Sequence, residues 1–117
     1  MRILHLNLKK KWFLMIASGE KKEEYREDKD YWYQRLCETY GGTKFVQFKD
    51  FDIIRFKNGY GKNAPTMDVE CKEIYYAFGR EEWGAKDKLC YVIELGAILS
   101  PPITDQDRME ILTGGDK

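Results

Sequence analysis

The sequence predicts a small α+β domain in which a mixed sheet curls toward a barrel and helices cover its openings. Three observations predict this class. The 117 residues fit one compact domain, about five short segments have the alternation of strands, and two segments have helical spacing. We assign the domain to residues 1–99. Residues 100–117, with two prolines, a diglycine and many charges, are predicted to form a peripheral tail with at most a short helix.

A strand followed by a short helix is predicted at the start of the chain. Residues 3–8 alternate between apolar and polar side chains, which is typical of a strand with its leucine face inward. From residue 12 to residue 17 the apolar side chains recur at helical spacing, and three lysines precede them on the outer face. Gly19 stands where a left-handed residue commonly ends a helix.

A second strand and a second helix follow. Residues 21–27 are charged but alternate around Tyr25, which predicts a strand that buries Tyr25 and shows Glu24 and Arg26 on the opposite face. Residues 30–40 begin with an aspartate that can cap a helix and are followed by two glycines that can end it.

The rest of the chain predicts further strands and one helical turn. Residues 45–51 are rich in aromatic side chains, and an apolar strand at 53–57 leads into a turn at 58–61. Two later strands are expected at 67–72, where apolar and charged residues alternate, and at 89–95, which is mostly apolar. A helical turn is expected between them, within residues 79–86.

The composition narrows the function classes and the cellular location. Twenty Lys and Arg balance twenty Asp and Glu, so any site for a polyanion must be a local patch. No apolar stretch approaches the length of a membrane span and no secretory signal is evident, so we expect a soluble protein with no membrane partner. The three cysteines (Cys37, Cys71 and Cys90) are odd in number and far apart, which favours the reducing cytosol and a cytoplasmic location.

The residue inventory also excludes several chemistries. His5 is the single histidine, which excludes a multi-histidine zinc site. Ser18 and Ser100 are the only serines, and neither lies in a nucleophile elbow. No glycine-rich phosphate loop is present. We therefore predict no cofactor and no metal, and any acid, base or binding role falls to Lys, Arg, Glu, Asp, Tyr and Asn.

The residues from Gly19 to Arg26 fit the pattern G-x-K-x-x-E-x-R at the junction of the first helix and the second strand. This segment resembles the ASCH domain, a member of the PUA-like superfamily. Leu6–Lys9 resembles that family's strand-to-helix entry, and Tyr91–Gly96 resembles its last strand, so the resemblance covers residues 3–99. It implies a PUA-like β-barrel of about five or six strands with two or three helices, a cleft between barrel and helix, and a role in binding RNA.

Some members of the family are enzymes, which leaves an alternative function open. One branch resembles an amidohydrolase that removes the acetyl group from N4-acetylcytidine with a Lys, a Thr and a Glu, and ribonuclease activity is described for another. Here Lys21 matches the lysine, Glu24 stands at the threonine position, and Glu81 or Glu82 could supply the distant glutamate. The alternative is thus a hydrolase of a modified nucleoside or of RNA, with Lys21 as base and Glu24 as acid, base or orienting group.

The main hypothesis is a small RNA- or nucleotide-binding module. If Gly19 turns the chain, Lys21 can project into the cleft while Glu24 and Arg26, two apart on a strand, share one face. A glutamate between two cations can orient the arginine toward a phosphate or a base edge. Such an array suits a single nucleotide better than a long duplex.

Further ligand contacts are predicted from the strand at 53–57 and the turn after it. Arg55 and Lys57 have the parity opposite to the core-facing residues, and Asn58 and Tyr60 lie in the turn, where Tyr60 can stack on a base. A third alternative is an interaction domain without chemistry, with Phe45–Phe51 as an apolar docking strip. We expect those phenylalanines to be buried, which weighs against it.

Overall fold

The computed structural model describes residues 1–100 and shows an α+β chain. Seven strands, two α-helices and one 3-10 turn follow one another in the order β1 (Ile3–Asn7), α1 (Lys10–Ala17), β2 (Glu23–Arg26), α2 (Asp30–Leu36), β3 (Cys37–Tyr40), β4 (Lys44–Phe48), β5 (Ile53–Lys57), β6 (Thr66–Ala77), a 3-10 turn (Glu81–Trp83) and β7 (Cys90–Ser100). Within these residues no helix is both long enough and apolar enough to cross a membrane. Of the predicted C-terminal tail, Ser100 is the last residue of β7, and residues 101–117 lie outside the described residues.

Five strands form one curled sheet that resembles half of a barrel. Its order is β1-β5-β6-β7-β2, in which β1 and β5 are parallel and the other neighbours are antiparallel. The long strands β6 and β7 form its spine, and register shifts between Asp68 and Glu73 bend their pairing. Such irregularities are a normal way to curve a sheet. The prediction of a small curled mixed sheet is confirmed at this level.

The inner face of the sheet and the two helices enclose the core. The predicted inward face of β1 is confirmed, because Leu4, Leu6 and Leu8 are all buried. Phe13 and Ile16 of α1 and Leu36 of α2 pack into the same cluster. It also contains the buried side chains of the central strands, namely Ile54, Phe56, Met67, Val69, Ile74, Tyr91, Ile93 and Leu95. Burial of this apolar surface is the main favourable term in folding.

The second predicted helix is too long at its C-terminal end. In the structure α2 ends at Leu36. Cys37–Tyr40 form β3, which pairs with β4 in a separate two-stranded antiparallel ribbon. A hairpin with the next segment has overridden the helical spacing, because Cys37 lies opposite Phe48 and Tyr40 lies opposite Lys44 across the turn at Gly41 and Gly42. The helical turn expected within residues 79–86 is confirmed at Glu81–Trp83.

The expected burial of the aromatic strip in residues 45–51 is wrong at its beginning. Phe45 and Val46 are exposed, while Phe48 and Phe51 are partly buried against the core. The reason is that β4 pairs only with β3, so the ribbon has no second layer over its start. Phe45 packs edge-on against Phe48, with 5.1 Å between the ring centroids.

The two edges of the half-barrel meet through arginine side chains. Arg26 of β2 donates from Nη2 to the carbonyl oxygen of Asn7 on β1 at 3.1 Å. Arg35 of α2 donates from Nη2 to the carbonyl oxygen of His5 at 3.3 Å. His5 and Asn7 are two residues apart on an edge strand, so both arginines reach the same open side of β1. This seam between β1 and β2 positions the site described next.

Candidate functional site

A cleft of about 590 Å³ opens at the top of the seam between β1 and β2. Five segments meet there: the end of β1, the helix α1, the strand β2, the β5–β6 turn and the 3-10 turn. The lining residues are Asn7, Leu8, Lys9, Trp12, Glu24, Tyr25, Arg26, Asn58, Gly59, Tyr60, Trp83 and Gly84. A cleft of this volume, with aromatic walls and a few polar groups, has the dimensions usual for small-molecule sites.

The turn after α1 places Lys21 beneath this cleft. Gly19 has a φ of +87°, as the sequence predicted for a residue that ends the helix. The amide of Lys21 then donates to the carbonyl oxygen of Met15 at 3.0 Å, which folds the chain back against the helix. The Lys21 side chain therefore points inward and is only 1% exposed.

Lys21, Glu24 and Arg26 form one continuous charged cluster. Lys21 Nζ lies 3.3 Å from Glu24 Oε1, and Arg26 Nη2 lies 3.0 Å from Glu24 Oε2. The Glu24 and Arg26 side chains are 7% and 18% exposed. Glu24 and Arg26 line the cleft, whereas Lys21 forms the layer below it. The three groups of the motif thus meet, but Lys21 is buried below the cleft and does not project into it as predicted.

The strand β2 shows a different face to the core from the one predicted. Glu24 is buried and Tyr25 is only partly buried, although the alternation had placed Tyr25 inside and the two charges outside. The charged face is buried because Glu24 is neutralised on both sides by cations, which makes its burial tolerable. Tyr25 instead accepts a hydrogen bond from the amide of Arg80 and donates one to Glu23.

Burial and neighbouring charges shift the pKa values of Lys21 and Glu24 in opposite directions. Desolvation lowers the pKa of Lys21, while Glu24 acts to raise it. Desolvation raises the pKa of Glu24, while Arg26 and Lys21 act to lower it. The carboxyl group and the ammonium group are thereby brought closer in proton affinity than they are in water.

The ammonium group of Lys21 has three further partners besides Glu24. It donates to the carbonyl oxygen of Trp83 at 2.5 Å. It also lies 5.2 Å from the ring centroid of Trp12 and 4.7 Å from that of Tyr25. These contacts suit a buried cation. They also tie the 3-10 turn to the floor of the cleft.

Arg26 connects the cluster to α2. Its Cζ lies 5.0 Å from the ring centroid of Trp32, and its Nη2 reaches both Glu24 and the Asn7 carbonyl oxygen. Within residues 1–100 its Nε is the buried side-chain nitrogen or oxygen that lacks a hydrogen-bond partner. The Nε–H group is thus a buried donor without a partner beside the cleft.

Of the other predicted site residues, two reach the cleft and two do not line it. Asn58 and Tyr60 line it, and Tyr60 is 85% exposed. Asn58 also donates from its side-chain amide to the carbonyl oxygen of Leu8 at 3.0 Å, which fixes the turn. Arg55 instead faces Asp68, with Nε–Oδ1 and Nη2–Oδ2 distances of 2.7 and 2.9 Å. Lys57 is partly buried, and its backbone pairs with the cleft residue Asn7.

The glutamates proposed for the enzyme alternative lie in the 3-10 turn. Glu82 is paired with Arg80 at 3.1 Å. A hydrogen bond from its own backbone amide and then the contact with Arg80 lower the pKa of Glu82. Neither Glu81 nor Glu82 is among the residues that line the cleft, and among the acidic side chains of residues 1–100 Glu24 is the one that does.

Several residues that line the cleft were not predicted from the sequence, among them Asn7, Trp12 and Trp83. Trp12 belongs to the apolar stripe of α1, which is typical of a core side chain, and it lies between Lys11 and Lys21, 4.7 and 5.2 Å from their Nζ atoms. Trp83 lies in a short turn without a recognisable pattern. A signal existed only for Asn7, whose parity on β1 put it on the face opposite the leucines.

No protein-family model, curated protein or solved structure matches this chain. Within residues 1–100, no group of three or more His, Cys, Asp and Glu side chains is arranged to hold a metal ion. The site is therefore interpreted from its own geometry.

Proposed function

We propose that this chain is a PUA-like, ASCH-type module that binds RNA or a nucleotide in the cleft between β1 and β2. One observation carries the proposal. A buried cluster of Lys21, Glu24 and Arg26 lies at the floor of a cleft with indole and phenol rings in its walls. A nucleotide offers the two matching features, a flat ring that stacks and a charged or hydrogen-bonding edge.

The charge around the cleft favours an anionic ligand. Lys21 and Arg26 are cations, Glu24 offsets one of them, and Lys9 adds a further positive charge at the rim. This gives a local positive surface in a chain whose formal net charge is zero. Because few phosphates can be neutralised there, we expect weak binding, with a salt slope of roughly 0.7 per contacted phosphate on a single strand.

The walls give each ligand group a defined place. Tyr60 is exposed at the rim and is suited to stack on a base, and Trp12 and Trp83 also line the cleft. Arg26 lines the cleft and suits a phosphate or an acceptor edge, and the Glu24 carboxylate suits an amino group. Asn7 and Asn58 add amide groups at the mouth of the cleft.

The test is a titration of fluorescently labelled single-stranded RNA against four proteins. Tyr60→Ala and Arg26→Ala should weaken binding, because each removes a group that faces the cleft. Tyr40→Ala is the matched control, since Tyr40 is 76% exposed on β3 and does not line the cleft. Equal affinities for all four proteins, or no binding by the wild type, would contradict the proposal. Circular dichroism of Arg26→Ala checks that the fold is retained.

A hydrolase is the second candidate, because burial lowers the pKa of Lys21 as a general base requires. The geometry favours it less. Lys21 lies below the cleft surface and its Nζ already donates to the Trp83 carbonyl oxygen. Incubating the protein with RNA and with a panel of modified nucleosides, beside Lys21→Ala, tests it. Turnover that is lost in Lys21→Ala supports the hydrolase, and turnover that survives it rejects this assignment of the base.

A further inference from the structure

Four side chains form a surface of arginines and aromatic rings next to the cleft, and three of them lie outside the motif. Arg26 and Arg35 both approach the ring of Trp32, with Cζ to centroid distances of 5.0 and 5.4 Å. Arg35 also lies 5.7 Å from the ring centroid of Tyr31 and donates to its hydroxyl group at 3.1 Å. We call these residues, Arg26, Trp32, Arg35 and Tyr31, the Trp32 stack.

The Trp32 stack continues directly from the cleft. Arg26 belongs to both, because it lines the cleft and contacts Trp32. From there, each contact from Arg26 to Trp32, from Trp32 to Arg35 and from Arg35 to Tyr31 is between 5.0 and 5.7 Å long. A ligand that fills the cleft and extends beyond Arg26 along the seam therefore meets Arg35 and Tyr31 next.

Arg35 differs from the other arginines in its lack of an acidic partner. Within residues 1–100 there are five arginines, and four of them form ion pairs: Arg2 with Glu38, Arg26 with Glu24, Arg55 with Asp68 and Arg80 with Glu82. In the same part of the chain no carboxylate lies within ion-pair distance of Arg35. Its guanidinium is held in place by the His5 carbonyl oxygen and by two rings, so its charge is oriented but not neutralised.

Tyr31 supplies the complementary group. Its ring is 60% exposed at the beginning of α2, although it is held edge-on against Trp32, with 4.8 Å between the ring centroids. Two arginines lie over the ring of Trp32 and one, Arg35, over that of Tyr31, so the exposed Tyr31 is the more open ring of the stack. An oriented phenol beside an unneutralised guanidinium is the combination that binds a base and its phosphate on single strands.

We propose that the ligand of this chain is single-stranded RNA of at least two nucleotides, not a free nucleotide. One nucleotide occupies the cleft, the neighbouring base stacks on Tyr31, and the phosphate next to it contacts Arg35. This inference rests on the proposed function, since the first nucleotide is the one bound in the cleft. It adds two binding residues, Tyr31 and Arg35, and a minimum length for the ligand.

The experiment measures the affinity of the wild type and of two pairs of variants for a labelled random-sequence RNA hexamer, and how this affinity depends on salt. Tyr31→Ala should weaken hexamer binding about fivefold or more, because it removes one stacked base. Its matched control Tyr40→Ala should bind as the wild type does. Arg35→Gln, which keeps donors for the His5 carbonyl oxygen, should make the salt slope shallower by about 0.7. Its matched control is Arg2→Gln, because Arg2 also lies over an aromatic ring, that of Phe51, but is paired with Glu38. This variant should leave the salt slope unchanged.

The outcomes separate this inference from the proposed function. Wild-type affinity and salt slope in Tyr31→Ala and Arg35→Gln, together with weaker binding by Tyr60→Ala, would overturn the extension and leave the cleft as the binding site. No hexamer binding by the wild type would overturn both. Losses in Tyr31→Ala and Arg35→Gln that are absent from their controls support the extended site. Because Tyr31 is exposed, its replacement tests binding with little effect on the fold.

Discussion

Replacing Glu24 by glutamine should destabilise the protein far more than an exposed change of the same kind. The variant Glu24→Gln keeps the shape of the side chain but removes the charge between Lys21 and Arg26. The glutamine has one carbonyl oxygen and one amino group, so it can accept from Lys21 or from Arg26 but cannot replace both carboxylate contacts, and Lys21 stays a cation with 1% exposure. Removing one partner of a buried pair generally costs about 3 to 5 kcal/mol. We expect a loss of about 3 kcal/mol, because Lys21 keeps the Trp83 carbonyl oxygen and two aromatic rings.

Urea denaturation followed by tryptophan fluorescence measures this loss. The matched control is Glu82→Gln, which breaks a 3.1 Å pair with Arg80 whose two side chains are 60% and 63% exposed. Exposed pairs contribute little, so the control should unfold at the wild-type urea concentration. A loss below about 1 kcal/mol for Glu24→Gln would refute the reasoning, since an ionised carboxylate between two cations costs more than that to remove.

The same variant gives a pH dependence with a definite sign. Burial already lowers the pKa of Lys21 from its ordinary 10.5, and Glu24 is the main group that raises it again. In Glu24→Gln the folded-state pKa of Lys21 therefore falls further. Between that pKa and 10.5 the unfolded chain binds more protons than the folded one, so the free energy of unfolding rises with pH. The deficit of the variant should be smaller at pH 9 than at pH 7, and a larger deficit at pH 9 would contradict this account.

Two further predictions concern surface charge and close packing. Hydrogen bonds from Lys86 and Lys29 lower the pKa of Glu27 to about 2. The stability that this carboxylate contributes above pH 4.5 should therefore be lost as the pH falls toward 2. In Glu27→Gln the urea midpoint should depend less on pH in this range, and a pH dependence equal to that of the wild type would contradict this prediction. Gly79→Ala would place a Cβ 2.4 Å from the Tyr25 ring and should cost about 1 to 3 kcal/mol in urea unfolding, while Gly61→Ala, with open space around it, should not; equal midpoints for the two variants would show that Tyr25 can move away.

Local patterns predicted the parts of the fold that local physics decides. The alternation of leucines fixed the inward face of β1, and the glycine at position 19 fixed the end of α1, because each depends on neighbours in the chain. The boundary at Leu36 failed because the two glycines were interpreted as the end of a helix. Gly41 and Gly42 have positive φ and form the turn of a hairpin, in which residues 37–40 are a strand because β4 pairs with them. Helical spacing alone does not distinguish the two structures.

The site was predictable in its charged centre and not in its aromatic walls. The spacing of Lys21, Glu24 and Arg26 in the motif brought the three groups together as expected. The hydropathy pattern predicted that the Glu24 side chain is exposed. It is buried instead, because its carboxylate pairs with two cations, and hydropathy does not take such pairing into account. Trp12 and Trp83 come from an amphipathic helix and a short turn, and only the closure of the half-barrel makes them neighbours.

Stability alone does not require the charged cluster. Well-packed apolar side chains in place of a buried ion pair are often neutral or stabilising, so a fold does not need such a cluster to be stable. This one lies at the floor of a cleft, where two of its three members face the opening. Beside it, Arg35 is held by a carbonyl oxygen and two rings and keeps its charge unneutralised within the described part of the chain. In a chain with no net charge, these oriented cations give the seam the local positive charge that the proposed RNA ligand requires.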